Sequence, residues 1–597
     1  MPYKSYAIRI GRTTPLLVLL LFLTTLPSTF ASPANFDQCL QEVREGKHGQ
    51  VGGTDNHGNP VNVSDATALT YDLCVSACGG SSEAFDWTVF SQQIASWLLP
   101  WLALLSQLPF GANDKFENFE SVIMTVGSPM LAAYSLMLSV LNERWIRNRV
   151  AVDSWPSVRD VMQVVIRLQH APLRIRYDRG LLASLIVLEE NDLWWKNLSK
   201  NLNYAYTWSI AAFASIAWVV IAYLFTVVDS FQVKEDNSLA DQANGQGIGD
   251  LWIWLLPLVA GWLQLSPKCD SNKILEAFNK AKATAHVALA DGTTALVADV
   301  ADVWGLYLDW PSNDSLRQDE QSPSPIYYYS RFFVLSRIAE EIFSRIEIVA
   351  ERAHNHLSVS GKPWNEGDVR TGNEIQVVKY CEPMIAIHKN LRSSGMVTRV
   401  CVSIGVALLL QWGTTGAAIV VLWFTPTVGP FLAPFHSMNL FAYITLLGLG
   451  CRSATYILYG VLSTLSWLFM FASSLLTNYI VTNEDEQLLQ GHIPKPRSAL
   501  RFLSTTSRRI GKTFATVNAI TVILNCFLQF GHFFDRCFCK ASVFGLRDHA
   551  FAVLKFTDAD ISLIRTTWIL GVMLAGGTSI AFTILINLLI ESRENRR

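Results

Sequence analysis

The chain has 597 residues, half of them hydrophobic and only 16% charged, and 47 Lys and Arg nearly balance 49 Asp and Glu. The balance argues against a basic nucleic-acid binder and against an acidic disordered tail. Length alone would suit several soluble domains, but 19 Trp set beside long uncharged runs fit an all-α, polytopic transmembrane helix bundle with rings at the lipid interfaces.

Residues 1–31 read as a secretory signal peptide: Lys4, Arg9 and Arg12 precede the apolar run Leu16–Leu26, and small residues through Ala31 offer a cleavage point. A retained signal anchor would deliver residue 32 and its successors to the same lumenal or extracellular face. The exported segment 32–90 is polar and Gly-rich and carries Cys39, Cys74 and Cys78. An oxidising compartment makes at least one disulfide expected, and the odd count implies a partner elsewhere or a free thiol. Cys74 and Cys78 could form half a zinc site, but no further ligand follows at suitable spacing, so a disulfide is preferred. Asn62-Val63-Ser64 is a glycosylation sequon.

Two membrane segments fill 91–141, namely Gln93–Phe110 and Val122–Leu141. The first contains Trp97-Leu98-Leu99-Pro100 with Ala103, Gln107 and Leu108 behind it. The same string returns as Trp254-Leu255-Leu256-Pro257 with Ala260, Gln264 and Leu265, which suggests an internal repeat of Pro-broken segments. Region 142–205 is rich in arginine, and Val158, Val161, Met162, Val165 and Leu168 recur at helical spacing. A membrane hairpin occupies 206–266, with the clear span Tyr206–Val228 and the short run Leu251–Leu265. At about 1.5 Å per residue the latter falls short of a roughly 30 Å hydrocarbon core, so it must thin the bilayer, recruit flanking residues or be broken and buried.

Residues 267–399 read as an extramembrane helical domain with amphipathic helices over Ile274–Leu308 and Phe333–His356. Three membrane segments are expected in 400–481: Cys401–Phe424, Phe431–Cys451 and Tyr456–Val481. A basic loop (482–513), a segment (514–534), a loop (535–567), a last segment (568–590) and a charged tail (591–597) complete the chain.

Crossing at every candidate gives about nine spans and places 267–399 outside. Cys269 and Cys381 then sit in the oxidising compartment as disulfide candidates, and the sequons at Asn197 and Asn313 become usable. A seven-span alternative makes Gln93–Phe110 re-entrant and lets Phe431–Val481 cross once. It puts the domain and the Arg144–Arg149 and Lys268–Lys282 flanks inside, as the positive-inside rule prefers, but it strains two long apolar runs. Nine crossings are therefore expected.

Phe90–Gly111, Gly127-Ser128-Pro129, Ala132–Leu136, Gly180–Leu188, Asn191–Trp195 and Asn244–Asp270 together resemble an uncharacterised family of fungal multi-pass membrane proteins. The resemblance covers the first half well and the rest loosely. It implies membrane residence and carries over no catalytic residue.

Sharper motifs fail on inspection. Gly511-Lys512-Thr513 ends like a phosphate-binding loop, but Thr506 stands where its first Gly belongs. His354 and His356 are two residues apart and point to different sides of a helix. His532, Asp535, Cys537 and Cys539, with Asp548 and His549 beyond, are ligand types that suit zinc or copper, but disulfides or S-acylation are the preferred reading of the cysteines. No catalytic, metal or cofactor site is expected. Inside the spans the polar groups are amides and hydroxyls, among them Gln107, Gln264, Gln411, Asn518, Asn525 and Gln529. A missing midplane carboxylate favours a non-catalytic scaffold or receptor-like protein. The alternative is a transporter or channel-like protein with a site between the repeats, where Gln107 and Gln264 follow Pro100 and Pro257. The expected partners are the lipid bilayer and an unidentified protein or small solute, without nucleic acid, in a secretory-pathway membrane such as the plasma membrane.

Overall fold

The computed structural model describes residues 33–111, 115–149, 155–175, 180–204, 208–232, 239–297, 305–309, 315–361, 370–382, 394–423, 450–489 and 498–591. The expected signal peptide, the run 431–449 and Asn313 lie outside them. The described chain is mostly helical, as expected, with short strands in small sheets.

A cap at one end is built from distant parts of the chain. Helix α1 (Phe36–Arg44) starts at Asn35, whose side chain accepts from the Gln38 amide, and buries Phe36, Cys39, Leu40 and Val43. It packs on α2 (Tyr71–Cys78). Strand β1 (Gly53–Thr54) pairs with β2 (Ala68–Thr70). Strand β2 in turn pairs with β7 (Phe551–Val553), so the N-terminal segment shares its core with the 537–552 loop. A segment this short cannot bury a sufficient core alone; Cys39–Cys78 braces it internally, Cys74–Cys537 ties it to the loop, and Cys451–Cys539 ties that loop to the bundle.

Beneath the cap stands the bundle. Its first rod is α3 (Trp87–Gln93), a π-helical turn at Ile94–Leu98 and α4 (Leu99–Leu105). Pro100 lacks an amide hydrogen and crowds the preceding turn, and the wider π turn just before it absorbs that strain.

The expected span Val122–Leu141 is instead a sharp bend. Helices α5 (Lys115–Gly127) and α6 (Pro129–Arg149) meet at 103°. Pro129 disfavours a helical Ser128, and Gly127 lies against α18 (Ser498–Phe530) so closely that a Cβ would stand 1.8 Å from the Ala515 carbonyl oxygen. Backbone groups freed at the bend are satisfied by side chains. Asn518 donates to the Gly127 carbonyl at 2.7 Å, the Tyr459 hydroxyl donates to the Val126 carbonyl at 2.9 Å, and the Met130 amide donates to the Ser463 hydroxyl at 3.4 Å.

Helix α10 (Ile210–Gln232) shows Phe213, Trp218 and Phe225 on its outer face. The short run Leu251–Leu265 gains length from polar residues before it: α11 (Leu239–Trp252) and α12 (Leu255–Leu265) form one discontinuous span over Gln242–Leu265. With α16 (Ser394–Trp423), α17 (Cys451–Leu489), α18 and α19 (Asp558–Glu591), five helices are long and apolar enough to cross a membrane. The bent pair would make six, so the described residues do not reach the expected nine.

At the far end of the bundle lies the base domain. Helix α7 (Val158–Arg167), α8 (Leu181–Val187) and α9 (Glu190–Asn201) join α13 (Ser271–Lys282), α14 (Tyr328–His354) and α15 (Glu374–Cys381). Strand β3 (Leu173–Ile175) pairs with β6 (Leu306–Leu308), so the arginine-rich region belongs to this domain too. Helix α14 matches its predicted periodicity, burying Ile338, Ile342, Ile346 and Val349. The helix expected over Ile274–Leu308 stops at Lys282. An Asp291-Gly292 turn, with Gly292 at φ 87° and the Asp291 carboxylate accepting from the Thr293 amide, closes a hairpin of β4 (His286–Ala288) and β5 (Thr294–Leu296). Arg508 donates to the Leu316 carbonyl at 2.9 Å, Lys512 lies 2.7 Å from Asp319, and Arg337 donates to Asn478 at 2.7 Å. These contacts hold the base against the ends of α17 and α18 remote from the cap.

Candidate functional site

Helix α11 carries glycine at every second position in Asn244-Gly245-Gln246-Gly247-Ile248-Gly249-Asp250. Each glycine costs an exposed helix about 1 kcal/mol against alanine, and here each admits a close neighbour. A Cβ on Gly245 would lie 2.3 Å from the Trp97 indole, one on Gly249 2.8 Å from the same ring, and one on Gly247 3.3 Å from Leu422. Trp97, the first residue of the repeated string, is thus the wedge against which α11 packs.

The next residue along is Asp250, fully buried. Its Oδ1 accepts from the Tyr223 hydroxyl of α10 at 2.5 Å, while Oδ2 has no hydrogen-bond partner among the described residues. Gly571 of α19 leaves the space beside Oδ2, because a Cβ there would be 3.2 Å from that oxygen and 3.4 Å from the Ala417 carbonyl. One turn earlier Gln246 donates to the Trp568 carbonyl at 3.2 Å and keeps its own Oε1 unpartnered. No described Lys, Arg or His pairs with Asp250. A carboxylate buried among four helices without a counter-charge is costly unless a positive ion or proton joins it.

This acid contradicts the expectation of spans without a carboxylate. Asp250 lies within a candidate span, yet in sequence it stands just before the apolar run and reads as its flank. The glycine alternation was the signal available.

A second polar centre surrounds the α5–α6 bend. Ser463 donates to Gln411 at 2.9 Å and Gln411 to Thr415 at 2.8 Å, while Tyr456 donates to Gln529 at 2.9 Å. Here the amides bond between helices, as expected. Asn525 is buried with both amide atoms unpartnered.

The two Pro-broken segments do come together. Helix α4 packs on α12, and Leu108, Pro109, Phe110, Leu258 and Trp262 line a cavity of about 10 Å³, room for about one water. Farther along, Gly111 lies against Cys269, its notional Cβ 2.3 Å from that residue. Pro100 and Pro257 are buried. Gln107 and Gln264 are half-buried and do not bond to each other: Gln107 donates to Ser106, and the Gln264 Oε1 has no partner.

Cys39, Cys74 and Cys78 are all bridged, and the partner implied by the odd count is Cys537. Cys269 and Cys381 are not bridged; both are buried free thiols. Cys269 sits at the bundle junction and Cys381 ends α15 in the base, so each packs as a small apolar group, and burial pushes both thiols up to about 12.

His532 and Asp535 gather with Glu83 in the manner of metal ligands. Arg452 lies 2.7 Å from Asp535, however, and Lys540 2.7 Å from Glu83. Burial raises the Asp535 carboxyl, but Arg452, His532 and Lys540 outweigh it and hold it well below the usual carboxylate range. The cluster is an ion-pair lock between cap and α17. Among the sequons, Asn62 is exposed in the cap. Asn197 is half-buried in α9, and Ser199 is buried with its hydroxyl and carbonyl taken by Arg167.

Comparison of the chain with protein-family models, curated proteins and solved structures finds no match in any of the three.

Proposed function

We propose that the protein is a multi-pass carrier of the secretory pathway that moves a small solute or ion through its bundle. The observation that carries this reading is Asp250, an unpaired carboxylate in a discontinuous candidate span. Discontinuous helices meeting near the middle of a bundle are the usual framework of secondary transporter sites. The scaffold reading rested on the absence of such a group and loses its main support.

The topology that accompanies it has seven crossings: the α3–α4 rod, α10, the α11–α12 pair, α16, α17, α18 and α19. The α5–α6 pair is re-entrant from the base side. This differs from the seven-span alternative read from sequence, in which Gln93–Phe110 was the re-entrant segment. The three disulfides of the cap support taking it as the exported side. The base is then cytosolic, which puts Arg144, Arg147, Arg149 and the Lys268–Lys282 stretch inside. Asn62 is the glycan acceptor, and Asn197 and Asn313 are not. Kinship with the fungal multi-pass family is part of this reading and adds no activity to it.

The test is ion flux in proteoliposomes containing a trapped pH indicator, driven by a potassium diffusion potential. Wild type should dissipate the imposed gradient faster than Asp250→Asn at equal protein content. Equal rates for wild type, variant and empty vesicles would return the protein to the scaffold class.

A further inference from the structure

We propose that Asp250 is a proton-binding site, with Tyr223 as the residue that positions its carboxyl group. The inference rests on the carrier reading and deepens it by naming the coupling ion. The geometry separates the two oxygens. Oδ1 is occupied as acceptor of the Tyr223 hydroxyl, which fixes the carboxyl plane, so the arriving proton has Oδ2. That oxygen faces the notch at Gly571, walled by the Val421 side chain and the Ala417 carbonyl. A proton adds one O–H bond there, cancels the buried charge and turns Oδ2 from an orphaned acceptor into a donor. Its release restores the carboxylate.

A metal cation is a poorer fit. A dry site for one needs about six oxygens to replace its water shell. Among the described residues the unpartnered side-chain oxygens of α11 are Asp250 Oδ2 and, progressively farther along the helix at about 1.5 Å per residue, Gln246 Oε1, Asn244 Oδ1 and Gln242 Oε1. The remaining neighbours at the notch are Gly571, the Val421 side chain and the Ala417 carbonyl, a single further oxygen.

Few other charges surround the group. Helices α10, α16, α18 and α19 and the π turn pack on α11. Between Val400 and Leu422, α16 carries no acidic or basic residue except the thiol of Cys401, and the π turn carries none. Helix α18 brings Cys526 and, toward the base, Arg501, Arg508, Arg509 and Lys512. On α10 and α11 stand Asp229 and Asp241, and on α19 Asp558, Asp560 and Arg565, all at sequence positions nearer the cap. Among the described residues, Tyr223 is therefore the titratable group in direct hydrogen-bond contact.

The experiment uses the full chain in lipid nanodiscs with dicyclohexylcarbodiimide, which reacts with protonated carboxyls in apolar surroundings, and locates the adduct by peptide mass. The expected result is an adduct at Asp250 whose rate of formation falls about tenfold per pH unit above the titration midpoint. Sodium, potassium or lithium chloride in place of choline chloride should leave that rate unchanged. Tyr223→Phe should move the pH profile, whereas a merely structural tyrosine would change protein yield and leave the profile in place. A carboxylic-acid infrared band, present in wild type and lost in Asp250→Asn, reads the same proton without needing reagent access. No such band together with no adduct overturns the proposal, as does protection of Asp250 by an alkali cation. Labelling without flux would keep the proton site and remove the carrier reading. Flux that is indifferent to Asp250→Asn, with no label, would do the reverse.

Discussion

Cys74 and Cys537 stand 463 positions apart in sequence and are joined by a disulfide, with Cα atoms 5.8 Å apart. The bridge sets the N-terminal segment and the loop between α18 and α19 on one side of the bundle. Cys451–Cys539 adds the start of α17 to the same side. Helices leaving the cap therefore carry the base, held through Lys512 and Asp319, to the opposite side.

The covalent pattern is the first expectation. Peptide mapping without reduction should recover Cys39–Cys78, Cys74–Cys537 and Cys451–Cys539, with Cys269, Cys381, Cys401 and Cys526 alkylated only as free thiols. Replacing Cys74 and Cys537 together by alanine should cost the cap about 2–4 kcal/mol, read as earlier proteolysis of residues 33–83. A peptide linking Cys269 to Cys381 would refute the assignment.

Sidedness is the second. Asp291 is exposed at the β4–β5 turn, and Val51 is 86% exposed in the cap. In sealed, right-side-out vesicles an impermeant maleimide should label Val51→Cys at once and Asp291→Cys only after permeabilisation. Asn62→Gln should remove every N-linked glycan. Equal labelling of both cysteines from outside would restore an external domain.

Gly127 tests the bend. Its notional Cβ overlaps the Ala515 carbonyl at 1.8 Å, and backbone cannot yield as a flexible side chain would. Gly127→Ala should destabilise the bundle by at least about 1–3 kcal/mol, seen as a lower thermal midpoint in detergent. Gly576→Ala, with nothing within 4 Å, should be close to neutral. Equal midpoints for both variants would show that α5 and α18 do not touch there.

Docking of the base should depend on pH in a defined direction. Burial raises the Asp319 carboxyl, but Lys512 and Arg508 outweigh burial and hold it below its ordinary value. A depressed folded value means the pair's stabilisation is complete above the ordinary carboxylate range and is lost only as pH falls through the folded value. Domain release, followed by fluorescence of the base residues Trp155, Trp194 and Trp195, should stay flat from neutral pH down to that range and fall below it. Asp319→Asn removes one partner of a buried pair and should cost about 3–5 kcal/mol. A release curve that already shifts near neutral pH would contradict the pairing.

Much of the architecture is legible in the sequence because it depends on local chemistry. Uninterrupted apolar residues over α16 and α19 identify helices long enough to cross lipid whatever surrounds them. The spacing of Ile338, Ile342, Ile346 and Val349 identifies one buried face of α14. The Asp291-Gly292 turn is equally local, but a long amphipathic pattern running through it masks the break.

The rest depends on partners far away in the chain. Val122–Leu141 has the length and hydropathy of a span, and only the close approach of Ala515, with Asn518 and Tyr459 bonding to its broken backbone, makes a sharp bend tolerable. Three cysteines in the N-terminal segment imply a missing partner by parity, but parity does not say that the partner is Cys537. Asp250 has the look of the polar edge of an apolar run until α10, α16 and α19 close around it. Hydropathy records what each residue prefers on average; burial, bond satisfaction and counter-charge are properties of neighbours, and neighbours are chosen only when the chain packs.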